Sequence, residues 1–214
     1  MAGGGEGGGA GSDVVHVVMF PFLAFGHISP FVQLARRLVS DEAAGVRVTF
    51  LTAAGIAPRV EAMLESAAGT VRVLPLNLPE VPGLPAGAAS TADVSGDGAE
   101  LLKLALDGTR PEVRALLAEL RPDAVLVEFA TSWVCDVAAP LGAKVLYFSV
   151  FSAVSFAYFT VPARLAGGQP PTARDLMVAP AGYPAASPLT SAPPQLQGPA
   201  LVYPYTSFPG MPCV

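Results

Sequence analysis

Two side chains in this 214-residue sequence, His27 and Glu128, have the type and setting to move a proton together. The histidine stands in "FPFLAFGHISP", residues 20–30, just after the apolar run "VVHVVMF" (14–20); the glutamate closes a second apolar run, "DAVLVEF" (123–129). An imidazole titrates near neutrality and can take a proton from a hydroxyl. A carboxylate beside it fixes the tautomer and favours the charged form. Taken singly, each has a plainer explanation: a loop histidine held by hydrogen bonds, and a solvated strand end. The residues alone leave both explanations open.

The elements around them decide whether they can meet. Apolar β-branched runs at 14–20, 46–52, 71–76, 123–129 and 144–150 read as five strands. Between them, apolar stripes at helical spacing predict a helix opened by Ser29 and Pro30 and stopped by Gly45. Further helices are predicted over 58–69, over 99–120 with a break at 107–111, over 132–142, and from Ser152 to Leu165. Strands alternating with helices imply an α/β fold, a Rossmann-like doubly wound parallel sheet. In the order 3-2-1-4-5, strands 1 and 4 are neighbours at the point of reversal, where such sheets bind ligands. His27 leaves strand 1 and Glu128 leaves strand 4, so the topology brings them to one crevice. Phe129 and Trp133, after strand 4, are candidates to line an apolar pocket there, with plain core packing the alternative; Phe25, Gly26 and Phe151 complete the candidate acceptor-binding set.

Composition narrows the remaining classes. With 52% hydrophobic and 14% charged residues the chain can bury a sizeable core, and a net charge of −5 argues against nucleic acid or an anionic membrane surface. Two cysteines and two histidines at scattered positions imply neither a disulfide framework nor a metal site, and fit a reducing, cytoplasmic setting. Gly3, Gly5 and Gly8 match a dinucleotide fingerprint but precede the first strand, where they cannot cradle a pyrophosphate. No P-loop and no nucleophile elbow is present. The apolar stretch 145–163 approaches membrane-spanning length, but four hydroxyl residues and Pro162 make a buried strand and helix the better reading. The expected organisation is a flexible Gly-rich tail over 1–13, one Rossmann-like acceptor-binding domain over 14–166, and a Pro-rich, loop-like segment over 167–214.

"HVVMFPFLAFGHISPFVQLARRL", "GVRVTFLTA", "RPDAVLVEFATSW" and "GAKVLYFSVFSA" together resemble the N-terminal acceptor domain of plant family 1 UDP-glycosyltransferases, over about residues 14–165. The likeness is greatest to the branch acting on flavonoids and flavonoid glycosides. It implies one half of a GT-B fold, in which the first domain binds the acceptor and the second mainly binds the UDP-sugar. It also implies an inverting transfer of a hexose to an acceptor hydroxyl, with His27 as general base. The family pattern P-D-x-V-x-x-D-F reads "PDAVLVEF" here, so Glu128 stands where aspartate is expected. One extra methylene moves a carboxylate by ~1 Å, a displacement that matters to catalytic geometry.

The family's donor-binding signature does not occur among these residues. The resemblance therefore implies a chain that is inactive alone, needs no resident cofactor, takes UDP-sugar as co-substrate, and is a monomer. The rival expectation is a truncated, non-catalytic binding or regulatory homologue. A hydrolase ranks last, for want of a nucleophile elbow or a second well-placed carboxylate.

Overall fold

The computed structural model describes residues 14–40, 45–153, 156, 179 and 181–183. The expected tail 1–13, most of the helix expected from Ser152 to Leu165, and nearly all of the Pro-rich segment 167–214 lie outside the described residues.

The five apolar runs form β1 (Val15–Phe20), β2 (Val46–Ala53), β3 (Val71–Leu76), β4 (Ala124–Val127) and β5 (Lys144–Tyr147), one parallel sheet in the order β3-β2-β1-β4-β5. This is the order expected from the sequence. β1 is central and all of β4 is buried, as strands covered on both faces must be. β5 alternates exposed and half-buried residues, with Lys144 and Leu146 outward. The connections are α1 (Phe25–Val39), α2 (Ala57–Met63), α3 (Gly98–Gly108), α4 (Arg110–Leu120) and α5 (Val134–Ala138). Right-handed crossovers running one way from β1 to β3 and the other way from β3 to β5 put α1 and α2 on one face and α3 to α5 on the other. The observed contacts of α1 with α2, of α3 with α4 and of α4 with α5 agree.

One boundary differs in a way that matters. α1 begins at Phe25 rather than at Ser29–Pro30, so His27 lies in its first turn and not in a loop. Ala24 is extended (φ −128°, ψ 134°), and its carbonyl accepts the amides of His27 (2.8 Å) and Ile28 (2.9 Å). Pro30 then sits inside the helix, where its ring crowds the carbonyl four residues back. That residue is Gly26, which has no side chain and open space beside it. The inner face of α1 buries Ile28, Phe31, Val32 and Ala35, and Leu34, Leu38 and Val39 are partly buried against the same core, the apolar stripe expected from the sequence extended by one turn.

The break at 107–111 is real: α3 and α4 are separate, and the Thr109 hydroxyl donates to the Leu106 carbonyl at 2.6 Å. The stretch expected to be one loop, 77–98, carries a 3-10 turn at Thr91–Asp93. The Asp93 carboxylate accepts the amides of Ala89 (3.1 Å) and Ser90 (2.8 Å) and the Ser90 hydroxyl (2.9 Å). These bonds, led by that from Ala89, hold its pKa below the usual carboxylate range. The Thr91 amide donates to the Leu23 carbonyl at 2.8 Å, which pins this loop against the β1–α1 connection. Cys135 is disulfide-bonded, a bond that the two scattered cysteines did not imply. No helix among the described residues is long and apolar enough to cross a membrane.

His16 lies inside β1 as expected, 3% exposed, with Nε2 at 2.8 Å from Thr49 Oγ1 and Nδ1 at 3.3 Å from the Leu120 carbonyl. Burial, followed by the Arg47 charge, lowers its pKa. The folded chain thus keeps His16 neutral while the unfolded chain protonates it near the ordinary value of about 6.5. Below that pH the unfolded state binds more protons, so stability is full above pH ~6.5 and falls as the pH is lowered through it. Urea midpoints measured from pH 8 to pH 5 check this, and His16→Gln is expected to flatten the dependence.

Candidate active site

Glu128 follows β4 in extended conformation (φ −132°, ψ −170°) and is 1% exposed. A carboxylate so buried must be paired. Its Oε1 accepts the Phe22 amide, and its Oε2 lies 2.5 Å from His27 Nδ1. Two chain segments a hundred residues apart therefore meet at one carboxylate. Since a carboxylate here can only accept, Nδ1 is assigned the proton and Nε2 carries the lone pair. No hydrogen bond to Nε2 forms among the described residues, and the His27 side chain is 18% exposed, open enough to be reached.

Thr131 fixes the turn that carries Glu128. Its hydroxyl accepts the Glu128 amide at 3.1 Å and donates to the Phe20 carbonyl at 2.8 Å, joining the ends of β1 and β4. Thr131→Val keeps the shape and removes both bonds, leaving buried backbone groups unsatisfied. It is expected to cost about 1–3 kcal/mol in chemical denaturation.

Three phenyl rings surround the imidazole. Phe22 stands edge-on at 5.8 Å between centroids, Phe151 edge-on at 5.9 Å, and Phe129 is tilted at 5.5 Å. Phe151 is 40% exposed, so this apolar wall has an open rim. Of the residues singled out by sequence, Phe129 and Phe151 thus join His27 and Glu128. Gly26 is exposed beside the histidine and leaves the approach clear. Phe25 points elsewhere, with its ring 3.6 Å beneath the Arg59 guanidinium. Trp133 packs edge-on against Phe20 at 6.0 Å and lies under Arg110, the core role that the sequence had left open. A separate cleft of about 720 Å³, lined by Ala53–Gly55 and by residues 76–82 and 84–89, opens at the ends of β2 and β3, and none of the candidate site residues line it.

Phe22 and Thr131 were missed. Phe22 is one more aromatic in an apolar segment, and nothing in the sequence says that its amide faces a carboxylate. Thr131 carried a usable signal: a hydroxyl residue just after a strand, here three positions after Glu128, commonly bonds back to the local backbone.

No protein-family profile matches the chain. It is 50% identical over 177 residues to the anthocyanidin-3-O-glucoside rhamnosyltransferase of Petunia hybrida, covering 82% of this chain and 37% of that protein. It is 45% identical over 175 residues to the inactive UDP-glycosyltransferase 79A6 of Glycine max, covering 81% and 52%. A UDP-glycosyltransferase of Arabidopsis thaliana complexed with UDP-L-rhamnose superposes with a TM-score of 0.60 at 24% identity, over 77% of this chain and 42% of that one. That likeness shows the fold, that of one Rossmann-like half of a GT-B protein. The chain spans between about a third and a half of the length of these relatives. It is a homologue of the plant UDP-glycosyltransferases that matches part of their length.

Proposed function

We propose that this chain is the acceptor-binding, proton-accepting part of a UDP-sugar-dependent glycosyltransferase acting on a hydroxyl of a flavonoid-like molecule or its glycoside. The observation that carries the reading is the 2.5 Å contact between His27 Nδ1 and the buried Glu128 carboxylate. In this reading Nε2 takes the acceptor hydroxyl's proton as the oxygen attacks the anomeric carbon of the sugar. The bond from that carbon to the diphosphate breaks, UDP leaves with the electron pair, and the configuration inverts. Glu128 offsets the imidazolium charge that forms. The exposed Phe151 gives an aromatic acceptor a ring to pack against, and the buried Phe22 and Phe129 behind the imidazole keep water from its inner side. The relative from Petunia hybrida, named for anthocyanidin-3-O-glucoside, supports the acceptor class.

The UDP-sugar is a co-substrate held mainly by a donor-binding half, so residues 1–214 alone bind acceptor weakly and turn nothing over. The reading needs no resident cofactor or metal and takes the chain as a monomer. The cytoplasmic setting belongs to it too. The test is UDP release from UDP-sugar and a flavonoid glycoside, by residues 1–214 alone and by the same residues joined to the donor-binding half of a plant UDP-glycosyltransferase. The expected result is no release from the first and transfer by the second. Release by the first overturns the inactivity, and none by the second overturns the function. A second reading, a non-catalytic acceptor binder, draws on Glu128 standing where the family pattern has aspartate. Acceptor binding without turnover in the joined protein is its distinguishing result.

A further inference from the structure

Residues 22–24, between β1 and α1, serve both members of the His27–Glu128 pair. The Phe22 amide donates to the Glu128 carboxylate, and the Phe22 ring stands edge-on to the imidazole at 5.8 Å. The Ala24 carbonyl accepts the His27 amide at 2.8 Å and so begins the turn that carries the imidazole. Between them, the carbonyl of the buried Leu23 accepts the Thr91 amide at 2.8 Å, a bond from the loop that follows β3. That carbonyl lies in one rigid peptide plane with the Ala24 amide, which donates to the Phe22 carbonyl at 2.9 Å. Fixing the plane therefore fixes the residues on both sides of it.

The loop that supplies the Thr91 amide is itself firmly held. Ser-Thr-Ala-Asp at 90–93 has the spacing of a capping box, and the reciprocal bonds form. Ser90 Oγ accepts the Ala92 amide at 3.3 Å, and Asp93 Oδ2 accepts the Ser90 amide at 2.8 Å. The same Oδ2 takes the Ala89 amide and the Ser90 hydroxyl. Ser90 is 1% exposed, so these bonds form away from water, where they hold best. On its other side the loop presses on the end of β2. A Cβ at position 55 would lie 2.7 Å from that of Ala89, closer than two carbons pack, so Gly55 is what lets the loop sit there.

We propose that Ser90, Thr91 and Asp93 form a positioning latch for the His27–Glu128 pair, passing the seat of their loop through Leu23 to the imidazole and the carboxylate together. The proposal rests on the reading of that pair as the base. Ser90 and Asp93 orient the Thr91 amide, and the amide acts on the pair through residues 22–24. Once the latch is broken, this segment shifts against Glu128, and catalytic geometry suffers from displacements of ~1 Å. A well-placed carboxylate keeps the imidazole proton on Nδ1. A displaced one lets it pass to Nε2, the nitrogen that must accept.

The test uses the whole 214-residue chain, labelled with nitrogen-15, at alkaline pH where the imidazoles are neutral. Proton–nitrogen spectra of the rings separate a nitrogen that bears hydrogen from one that does not, and only His16 and His27 contribute. Thr91→Pro removes the amide that reaches Leu23 and puts a methylene where its hydrogen was. Proline suits the local backbone, since position 91 opens the turn and Ser90 before it is extended (φ −151°, ψ 166°). Asp93→Ala removes the shared acceptor at an exposed position. In both variants His27 is expected to pass from an Nδ1–H form to a mixture rich in Nε2–H, with the His16 signals unmoved. A general loss of stability does not change the tautomer of the folded chain, so a merely structural role predicts no shift. An Nδ1–H form retained in full by either folded variant overturns the proposal, and should Thr91→Pro fail to fold, Asp93→Ala decides alone. Glu128→Gln is measured beside them and is expected to put the proton on Nε2. If His27 keeps its Nδ1 proton there, the pairing of Glu128 with His27 fails and the proposal falls with it, so the two failures are told apart.

Discussion

His27→Ala, in residues 1–214 joined to a donor-binding half, is expected to lower the transfer rate by about 10²–10⁴, the usual contribution of a positioned general base. The loss is expected in kcat, with the acceptor KM nearly unchanged. The exposed ring that would meet an aromatic acceptor is Phe151, and it packs on Phe129 (centroids 6.0 Å), which in turn packs on Phe22 (5.9 Å), so the wall does not depend on the imidazole. Stability changes in two opposing ways. The substitution removes a half-buried ring, but it also leaves the buried Glu128 carboxylate without its imidazole partner, with the Phe22 backbone amide still donating to it. The second term dominates, since an uncompensated buried charge is the costlier change. The variant is therefore expected to be less stable and still folded, and a thermal melt beside the kinetics separates the two effects. A rate within a few-fold of the parent would assign His27 a structural role.

Glu128→Gln is the second large effect, and it probes charge at nearly constant shape. The amide oxygen can still accept the Phe22 amide, so the junction between β1 and the β4 turn survives. The remaining NH₂ then faces Nδ1 as a donor, which draws the imidazole proton to Nε2, the nitrogen that must accept. The wrong tautomer and the loss of the counter-charge act together. In catalytic triads the equivalent loss lowers kcat by about 10⁴, and a fall of about 10²–10⁴ is expected here. Steady-state kinetics on the joined protein measures it. The longer glutamate, where the family pattern has aspartate, does not prevent the contact: its carboxylate reaches the Phe22 amide with one oxygen and His27 with the other.

Why these two residues were visible in the sequence, and others were not, has a physical explanation. Parallel strands buried on both faces leave continuous apolar runs, so five strands could be read directly, while their order was taken from the one common to such sheets and is the one observed. The meeting of His27 and Glu128 followed from the strand order alone, since β1 and β4 adjoin with Phe20 opposite Val127. Helix ends depend on weaker signals. Ser29 and Pro30 look like a helix start, yet the Ala24 carbonyl begins the helix earlier and leaves Pro30 inside it. Trp133 shows the limit for apolar site residues, because a ring bound for the core and a ring bound for a ligand have the same sequence signature. Phe22 was out of reach for a different reason. Its part depends on where one amide points, and no residue pattern encodes that.

The central claim is that His27 and Glu128 act as one unit in taking the acceptor proton. A double-substitution cycle on the transfer rate tests it most directly, with His27→Ala, Glu128→Gln and the two combined in the joined protein. If the residues form one unit, the combined variant is expected to be about as slow as His27→Ala alone, because the carboxylate has nothing left to orient. Rate losses that simply multiply would show two independent contributions and contradict the account.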